Sequence, residues 1–517
     1  MGESSFPAPV ADYVFLSDPA LRATYCVERS GRVRRWREGE APFFLGIRRA
    51  AELPRLFDLR EFVPDMTSWR WQEDFLPVLT VSGPSCRSVR LAADDAGGLL
   101  LETAGRFLRW PGGESVSREC WAANLDRITR YWRNWFAAGT SPDDPAPDWK
   151  SSLVQAKCAF CGRHPKYGVE TYADFRSDGF PPTILAMAET VFRYGHEAEA
   201  RELFGYWLER FIRADGTVDY YGPSVSEYGD LLRLGALLGA EDRAWMRENV
   251  GILLRIAWHL YDLMNSWTHP EIRETFLLIR GVPEADTRES PGAYFHNNLA
   301  VLRGFYELSG ALAPAAAPEA AAEMRDMAEI LAGRLTKALA ALRELPFPPW
   351  RADIAPDGLS EKLTDSCEAA YANYRYYPEM LQSGLLSAAD ALRIVRAREE
   401  RGGEEFGMTV FRWPDGQDWL DDWPIASYAR GLLEYGERER FEKVLDGHRR
   451  FYQSPDTFTA YEAVTRTGSP RTAATDWCVP VQLALPLMLI LRKGFRAAPE
   501  AWRLGTAGAP GGAAKVF

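Results

Sequence analysis

Histidine and cysteine are scarce in this sequence. Six histidines and seven cysteines are spread over 517 residues. The close pair Cys158 and Cys161, with His164 nearby, has no second CxxC or HxxxH to complete a zinc site, so we expect no metal. An odd number of widely separated cysteines indicates reduced thiols, and hence a cytoplasmic protein.

Motifs for nucleotide cofactors and serine hydrolases are also missing. The sequence has no Walker loop, no GxSxG and no GxGxxG that opens a βαβ unit, so we expect no cofactor. The 61 Lys and Arg residues stand against 72 Asp and Glu residues, giving a net charge of -11. The arginines are scattered among acidic residues and form no basic stripe, which excludes a nucleic-acid partner.

No apolar run in the sequence is long enough to cross a bilayer, which needs about 20 residues. The most apolar stretch, Val479–Leu491, is interrupted by Pro480, Gln482 and Pro486. The opening MGESSFPAPVADYVF has neither the basic region nor the apolar run of a signal peptide. We therefore expect no membrane partner.

Aromatic residues, by contrast, are abundant. The chain has 18 Trp, 21 Tyr and 26 Phe residues, which together make 13% of it. Large aromatic side chains can simply fill a large core. They can also line a groove with flat rings, which suits the apolar faces of pyranose sugars.

The sequence divides by pattern into four stretches. Residues 1–116 hold short β-favouring runs separated by Gly, Pro and Asp, and they predict a small β-rich domain. Residues 117–148 predict a helical connector and a linker rich in Pro and Asp. The apolar spacing of residues 149–495 is helical, whereas the Gly- and Ala-rich stretch 496–517 predicts a disordered tail.

Apolar residues at three- and four-residue spacings predict about a dozen helices in residues 149–495. Their connections alternate between short and long, and such alternation places every long loop on one face of a closed ring. Loops longer than about 12 residues are usually functional. The predicted helices are Trp149–Phe160, Pro182–Tyr194, Glu197–Arg213, Val225–Leu238, Glu241–Met264, Asn298–Leu312, Pro318–Leu345, Ser360–Tyr374, Ser387–Arg398, Ile425–Tyr435, Glu437–Phe451 and Val479–Leu491.

Three of the long loops place carboxylates beside aromatic residues. The first, 215–230, contains a Ser that caps a helix, with a Glu in the first helical turn. The second and third are 281–298 and 456–477. Their acidic residues are Glu227 in the first loop, Glu284 and Asp286 in the second, and Glu462 and Asp476 in the third.

A β domain followed by six helical hairpins with long loops on one face resembles the six-hairpin glycosidase superfamily, which includes glucoamylase-, trehalase- and rhamnosidase-like enzymes. The resemblance implies a mainly α fold: an (α/α)6 toroid of six helical hairpins with a small N-terminal β-rich domain. In glucoamylase-like members the proton donor lies on the loop joining helices five and six. The base lies on the loop joining helices eleven and twelve. Counting from Trp149 puts Glu284 and Asp286 on the first of those loops, and Glu462 and Asp476 on or near the second.

Glycoside hydrolysis needs one carboxylic acid to protonate the leaving oxygen and one carboxylate to act on water or the anomeric carbon. We expect Asp286 to be the acid, with Glu284 as second candidate, and Glu462 to be the base, with Asp476 as second candidate. In the competing interpretation, Glu284 caps a turn and Asp286 pairs with Arg288. Glu227 could either meet the helix dipole alone or serve as a sugar ligand or alternative catalytic carboxylate.

Aromatic and acidic residues on the same predicted face are the candidate sugar-binding residues. The run 413–424 has three Trp and four Asp residues and predicts a sugar subsite, with calcium as the rival ligand. The basic residues Arg163, His164 and Lys166 fit either a bound phosphate or a solvated turn. The predicted substrate-binding residues are Tyr167, Glu170, Tyr220, Tyr221, Glu227, His296, Asn297, Trp413, Asp418, Trp419, Asp422 and Trp423.

These observations together predict an inverting glycoside hydrolase that acts on an oligosaccharide or small glycoside. Two alternatives stay open. One is a glycoside phosphorylase or another sugar-active enzyme with the same fold, and the other is a carbohydrate-binding protein without catalysis. Phosphate dependence separates the first alternative from a hydrolase, and the absence of turnover defines the second.

Overall fold

The computed structural model divides into two compact units, each built from two stretches of chain. Unit 1 comprises Met1–Trp207 and Gly447–Lys493, and unit 2 comprises Leu208–Asp446 and Gly494–Phe517. The structure describes residues 13–18, 23–37, 55–85, 87–160, 162–163, 165, 179–220, 222–266, 276–284, 290–315, 317–354, 359, 361–412, 418–421, 423, 425–465 and 478–505.

Unit 1 contains the two antiparallel sheets of the β-rich N-terminal region. The first sheet has the order β1-β2-β3-β4, and the second has the order β10-β9-β8-β7-β6-β5. The strands are β1 (Tyr13–Ser17), β2 (Ala23–Glu28), β3 (Arg32–Arg37), β4 (Arg55–Asp58), β5 (Ser68–Gln72), β6 (Leu76–Ser82), β7 (Ser88–Ala93), β8 (Leu99–Thr103), β9 (Arg106–Trp110) and β10 (Glu114–Ser115).

Apolar ladders fix the register of the second sheet. Trp71 lies opposite Leu79, Leu79 opposite Leu91, and Leu91 opposite Leu101. Directly opposed apolar pairs stabilise a sheet, and a slip of one residue would turn each of them to the other face. All four side chains are buried in one core cluster that also takes residues from the first sheet, such as Tyr25.

The α-helices lie in the stretches where the sequence predicts them, with one exception. The helical connector predicted within residues 117–148 is the helix Arg118–Ala138. In chain order they are α1 (Arg118–Ala138), α2 (Asp148–Cys158), α3 (Pro181–Arg193), α4 (Glu197–Phe211), α5 (Val225–Gly239), α6 (Arg243–Asn265), α7 (Phe295–Leu312), α8 (Pro318–Ala341), α9 (Cys367–Tyr371), α10 (Tyr377–Gln382), α11 (Ala388–Glu400), α12 (Ile425–Glu434), α13 (Arg438–Phe451), α14 (Val479–Gln482) and α15 (Ala484–Gly494).

The exception is the predicted helix Ser360–Tyr374, which is wrong at both ends. Residues 361–366 form turns and bends, in which the Asp365 carboxylate accepts a hydrogen bond from the backbone N–H of Lys362 at 2.9 Å. The helix begins only after Ser366, whose hydroxyl caps the N–H of Ala369 at 3.1 Å. It then continues through a π-helical turn, Ala372–Tyr376, into α10. Proline lacks an N–H, and the wider π turn admits Pro378 in the first turn of α10.

A small sheet in unit 2 was not predicted. The strands β11 (Glu404–Glu405), β12 (Met408–Arg412) and β13 (Asp418–Asp421) pair antiparallel in that order. Phe406 and Gly407 have φ values of 54° and 83°, which is the conformation of a tight hairpin turn. A further strand, β14 (Ala463–Thr465), lies in unit 1. The predicted sugar-binding run 413–424 therefore begins directly after a strand.

Connection lengths alternate as the sequence predicts. Short connections span 194–196, 240–242, 313–317, 383–387 and 435–437. Long ones span 159–180, 212–224, 266–294, 342–366, 401–424 and 452–478. Antiparallel helix pairs need short turns, so this order defines helical hairpins separated by long connections. Within the described part of the chain, no helix is both long and apolar enough to cross a membrane.

Candidate active site

The start of α5 places one carboxylate at a buried position. Ser224 is the N-cap, and the Glu227 side chain reaches back so that its Oε2 accepts a hydrogen bond from the Ser224 N–H at 3.1 Å. This is the geometry of a capping box, which fixes the rotamer of the glutamate. Glu227 is only 4% exposed, so its carboxylate lies inside unit 2 and not at its surface.

Arg375, in the π turn before α10, joins three carboxylates. Its Nη2 donates to Glu227 Oε1 at 2.9 Å, its Nη1 to Glu284 Oε2 at 2.8 Å, and its Nε to Glu379 Oε1 at 2.7 Å. Nη2 also lies 3.3 Å from the Ser224 hydroxyl. Arg375 and the three glutamates are all buried. We call these four residues the Arg375 cluster.

The Arg375 cluster has more negative than positive groups. One guanidinium faces three carboxylates, and in a buried setting an uncompensated charge is costly. Burial raises the pKa of Glu227 to about 7, against the lowering effect of Arg375, and Glu379 adds a further repulsion. The three carboxylates hold the pKa of Arg375 well above its usual range in spite of burial. Glu227 therefore takes up a proton near neutral pH more readily than an ordinary glutamate.

The first turn of α7 holds the chain segment that leads to Glu284. Three consecutive side chains, His296, Asn297 and Asn298, bond to the backbone of residues 279–283. Asn298 bonds both backbone groups of Ile279, at 2.8 and 3.0 Å. Asn297 Nδ2 donates to the Val282 carbonyl at 3.1 Å, and His296 Nε2 lies 3.2 Å from the Pro283 carbonyl. Residues 279–284 are thus held by α7 and by Arg375 together.

His296 is stacked against the residue that follows Arg375. Its ring is parallel to that of Tyr376, with centroids 4.6 Å apart. Burial, reinforced by the Arg375 charge, lowers the pKa of His296 to about 3, so the ring is neutral at physiological pH. Its Nε2 is 4.0 Å from Glu379 Oε2, a buried oxygen that has no hydrogen-bond partner among the described residues. This oxygen offers an acceptor to any hydroxyl or water that reaches it.

Tyr220 adds a phenol beside the same carboxylates. It lies in the long connection before α5 and is partly buried. Burial and the negative charges of Glu227 and Glu284 raise its pKa well above the usual value for tyrosine. The phenol is therefore protonated and able to donate a hydrogen bond at any physiological pH.

The structure brings together five of the residues that the sequence singles out. Glu227, Glu284, Tyr220, His296 and Asn297 all lie at or beside the Arg375 cluster in unit 2. The His296 Nε2 and the Asn297 Nδ2 bond to the backbone carbonyls of residues 283 and 282. The contact of these two residues with sugar stays a prediction. Their burial is complete.

Other candidates lie elsewhere or outside the described residues. Glu462 is partly buried, just before β14 in unit 1. In unit 2, Trp419 is buried in β13, opposite Phe411, while Trp423 is partly buried. Those outside the described residues are Tyr167, Glu170, Tyr221, Asp286, Trp413, Asp422 and Asp476, together with the side chain of Asp418.

Two members of the Arg375 cluster were missed from the sequence. Arg375 and Glu379 are four residues apart, a spacing that usually marks a solvated ion pair on a helix. The aromatic run Tyr374–Tyr377 around them was the available signal that this helix face is buried. In the parts that the structure describes, no group of three or more His, Cys, Asp and Glu residues could hold a metal ion.

Comparison with known proteins gives the fold. No family model matches the chain, and no curated protein matches its sequence. Among solved structures, the chain is similar to a bacterial glucoamylase complexed with acarbose, with a TM-score of 0.58 at 8% identity over 95% of each chain. A glycosidase variant gives a TM-score of 0.47 at 12% identity, over 66% of this chain and 95% of that one. A rhamnosidase from Klebsiella oxytoca with rhamnose bound gives 0.43 at 11%, over 93% and 88%.

The similarity to glucoamylase defines the fold class. The chain has the mainly α fold of that glucoamylase, with a β-rich N-terminal part, and the predicted fold class is confirmed. At 8% identity the similarity shows the fold and does not show the reaction, which depends on the residues of the site.

Proposed function

We propose that the protein is a glycoside hydrolase that cleaves an oligosaccharide or small glycoside with inversion at the anomeric carbon. The observation that carries the proposal is the Arg375 cluster, which gathers Glu227, Glu284 and Glu379 inside unit 2. A buried carboxylate with a raised pKa, such as that of Glu227, marks a candidate functional site when other charged groups surround it. The fold shared with a glucoamylase adds a sugar substrate to the proposal.

Within this proposal Asp286 is the general acid, with Glu284 as second candidate. Glu284 is buried, and its Oε2 accepts a hydrogen bond from the Arg375 guanidinium at 2.8 Å. The base is Glu462, with Asp476 as second candidate.

Glu227 is the alternative catalytic carboxylate. Its pKa of about 7 suits proton donation at neutral pH, because an acid works best when its pKa is near the working pH. Both of its oxygens accept hydrogen bonds from N–H groups in this structure, so donation requires one of those contacts to break.

A product assay with matched variants tests the proposal. The protein is incubated with α- and β-linked oligosaccharides, with and without phosphate, and the anomer released is read by NMR. We expect phosphate-independent release, and a loss of about 10²- to 10⁴-fold in kcat for Asp286→Asn. An acid variant should recover activity on a glycosyl fluoride, whose leaving group needs no protonation.

The same assay decides between the candidate acids and the alternatives. Recovery on the fluoride by Glu227→Gln, but not by Asp286→Asn, would move the acid to Glu227. Glu319→Gln, at an exposed position on α8, serves as the neutral control. Release of a sugar phosphate would replace hydrolase with phosphorylase. Ligand binding without turnover on any linkage would replace it with a binding protein.

A further inference from the structure

In unit 1, the backbone carbonyl of Thr457 accepts three hydrogen bonds. The three donors are Gln155 Nε2 at 2.7 Å, Trp71 Nε1 at 2.9 Å and the Ser151 hydroxyl at 3.1 Å. Trp71 belongs to β5, and the other two donors belong to α2. A carbonyl oxygen has two lone pairs, so three donors saturate it. The chain at Thr457, five residues before Glu462, is therefore fixed to a strand and to a helix at once.

Gln155 contacts the same stretch of chain at a second point. Its Oε1 accepts a hydrogen bond from the Thr459 hydroxyl at 3.1 Å, so the two ends of one amide group bond to two residues. Between those residues, Phe458 has a φ of 55°, a conformation that is uncommon for a non-glycine residue and needs support from its surroundings. Gln155, Thr457 and Thr459 are at most 1% exposed. The buried amide of Gln155 thus fixes the turn around Phe458.

The fixed stretch continues up to Glu462. The Ala460 N–H donates to Gln482 Oε1 at 2.9 Å, and the buried Tyr461 ring meets the Tyr13 ring edge to face. The strand β14 begins directly after Glu462. The two neighbours of Glu462 on each side are buried, whereas Glu462 itself is partly exposed. A carboxylate that leaves a fixed backbone in this way can hold a water molecule in one place.

We infer that Gln155 is a positioning residue for the proposed hydrolysis, acting through residues 457–461 on the proposed base Glu462. This inference rests on the proposed function. A general base must lie within hydrogen-bond reach of the water that it activates, and errors of about 1 Å in placement can cost about 100-fold in rate. The two contacts of Gln155 fix the backbone that leads to this carboxylate.

The substitution Gln155→Met removes both contacts without leaving their partners unsatisfied. Methionine is unbranched like glutamine and has no hydrogen-bond donor. The Thr457 carbonyl keeps Trp71 and Ser151 as donors. The Thr459 hydroxyl keeps its contact with the Thr457 hydroxyl at 2.9 Å. Neither group loses its last partner, so this variant should fold.

Steady-state kinetics on a substrate found in the product assay test the inference. We expect Gln155→Met to lower kcat and kcat/KM alike by about 10- to 100-fold, with KM changed less than about threefold. Trp71→Phe removes another donor to Thr457 and should act in the same direction. The matched control is Trp132→Phe, at an equally buried tryptophan of unit 1 whose Nε1 has no hydrogen-bond partner among the described residues. The control should keep the wild-type kcat.

A double variant separates positioning from a general loss of stability. If Gln155 acts through Glu462, Gln155→Met should change kcat by less than about twofold in a protein that already carries Glu462→Gln. Equal fold-losses in the wild-type and Glu462→Gln backgrounds would overturn the inference. A folded Gln155→Met protein with wild-type kcat would overturn it as well, and would leave the proposed function standing.

Hydrogen exchange of the peptide 453–461 gives a readout that does not depend on activity. Exchange should speed up in Gln155→Met and Trp71→Phe and not in Trp132→Phe. Unchanged exchange in Gln155→Met would show that its amide does not hold this stretch, and the inference would fall. If the wild-type protein releases no sugar, the proposed function fails and the inference fails with it, whatever the exchange rates.

Discussion

Glu227 caps helix α5 and is also a member of the Arg375 cluster. Its carboxylate accepts a hydrogen bond from the Ser224 N–H at the start of α5, as an acidic residue in a first helical turn does. It is also buried against Arg375, with its pKa raised to about 7. The helix cap fixes the side chain, and the fixed side chain then presents an easily protonated carboxylate to the Arg375 cluster.

The raised pKa predicts a pH-dependent stability. The folded state binds the Glu227 proton more tightly than the unfolded chain does. The contribution of this proton to the free energy of unfolding is therefore complete below about pH 4.5 and is lost as the pH rises to about 7. Glu227→Gln carries no charge to bury. Its free energy of unfolding should therefore rise relative to wild type by about 1 to 3 kcal/mol over that interval. Urea titrations at several pH values measure this, with Glu319→Gln as control. A difference that stays constant with pH would contradict the assigned shift.

The residues of the site divide into those that local sequence reveals and those that it hides. Glu227 and Glu284 stand out because Gly, Pro and aromatic residues surround them in long loops. Arg375 and Glu379 do not stand out, since their spacing is that of any helical ion pair. Only the folded chain shows that Arg375 meets Glu227 and Glu284, which precede it by 148 and 91 positions. Long-range electrostatic partners of this kind leave no local pattern.

At the scale of elements, α5 and α7 pack backbone to backbone at two glycines. A Cβ built on Gly229 would overlap the carbonyl group of Ala300, and one built on Gly304 would lie 2.5 Å from the Gly229 carbonyl oxygen. The two helices carry Glu227 and His296 on their first turns. The distance between the helices therefore sets the distance between two sides of the site.

Substitution at this crossing should be destabilising. Gly229→Ala needs the helices to separate, and overpacking of this kind costs about 1 to 3 kcal/mol. Gly333→Ala is the matched control, because a Cβ there meets nothing within 4 Å on the exposed face of α8. The control should gain about 0.5 to 1 kcal/mol from helix propensity. Denaturant unfolding measures the free energy of unfolding of both variants. Equal effects of the two substitutions would show that the helices can accommodate a Cβ at their crossing without cost.

Helices were predictable where apolar periodicity was undisturbed, and the misses have physical causes. The start at Cys367 depends on the Asp365 turn and the Ser366 cap, which compete with the apolar spacing before them. The hairpin of β11 and β12 depends on two residues with positive φ, one of them the non-glycine Phe406. Such a conformation is rare for a bulky side chain, so the sequence gives little sign of it.

At the scale of the whole molecule, residues 495–505, which follow α15, pack against the rest of unit 2. Ala498 N–H donates to the buried Glu434 at 2.7 Å, and Leu504 N–H donates to the Leu385 carbonyl at 2.8 Å. Trp502 stacks on Tyr306 with centroids 5.0 Å apart. Residues 496–505, within the stretch 496–517 for which the sequence predicts a disordered tail, thus hold specific contacts.

Removing this stretch should weaken unit 2. A chain that ends at Gly494 loses the buried side chains of Ala498 and Leu504 and leaves Glu434 without one donor. The expected cost is about 3 kcal/mol or more. A chain that ends at Gly505 keeps every contact named above and serves as control. Thermal unfolding of the two chains measures the difference, and matching midpoints would mean that these contacts add nothing.

The division of each unit between two distant stretches of chain bears on how the protein is made. A ribosome releases Met1–Trp207 long before Gly447–Lys493, and Leu208–Asp446 before Gly494–Phe517. Hydrogen bonds such as that from Gln155 to the Thr457 carbonyl, at 2.7 Å, join early and late segments of unit 1. Such contacts between early and late segments can form only after the late segment has been synthesised, so each unit is completed after its first stretch has already emerged.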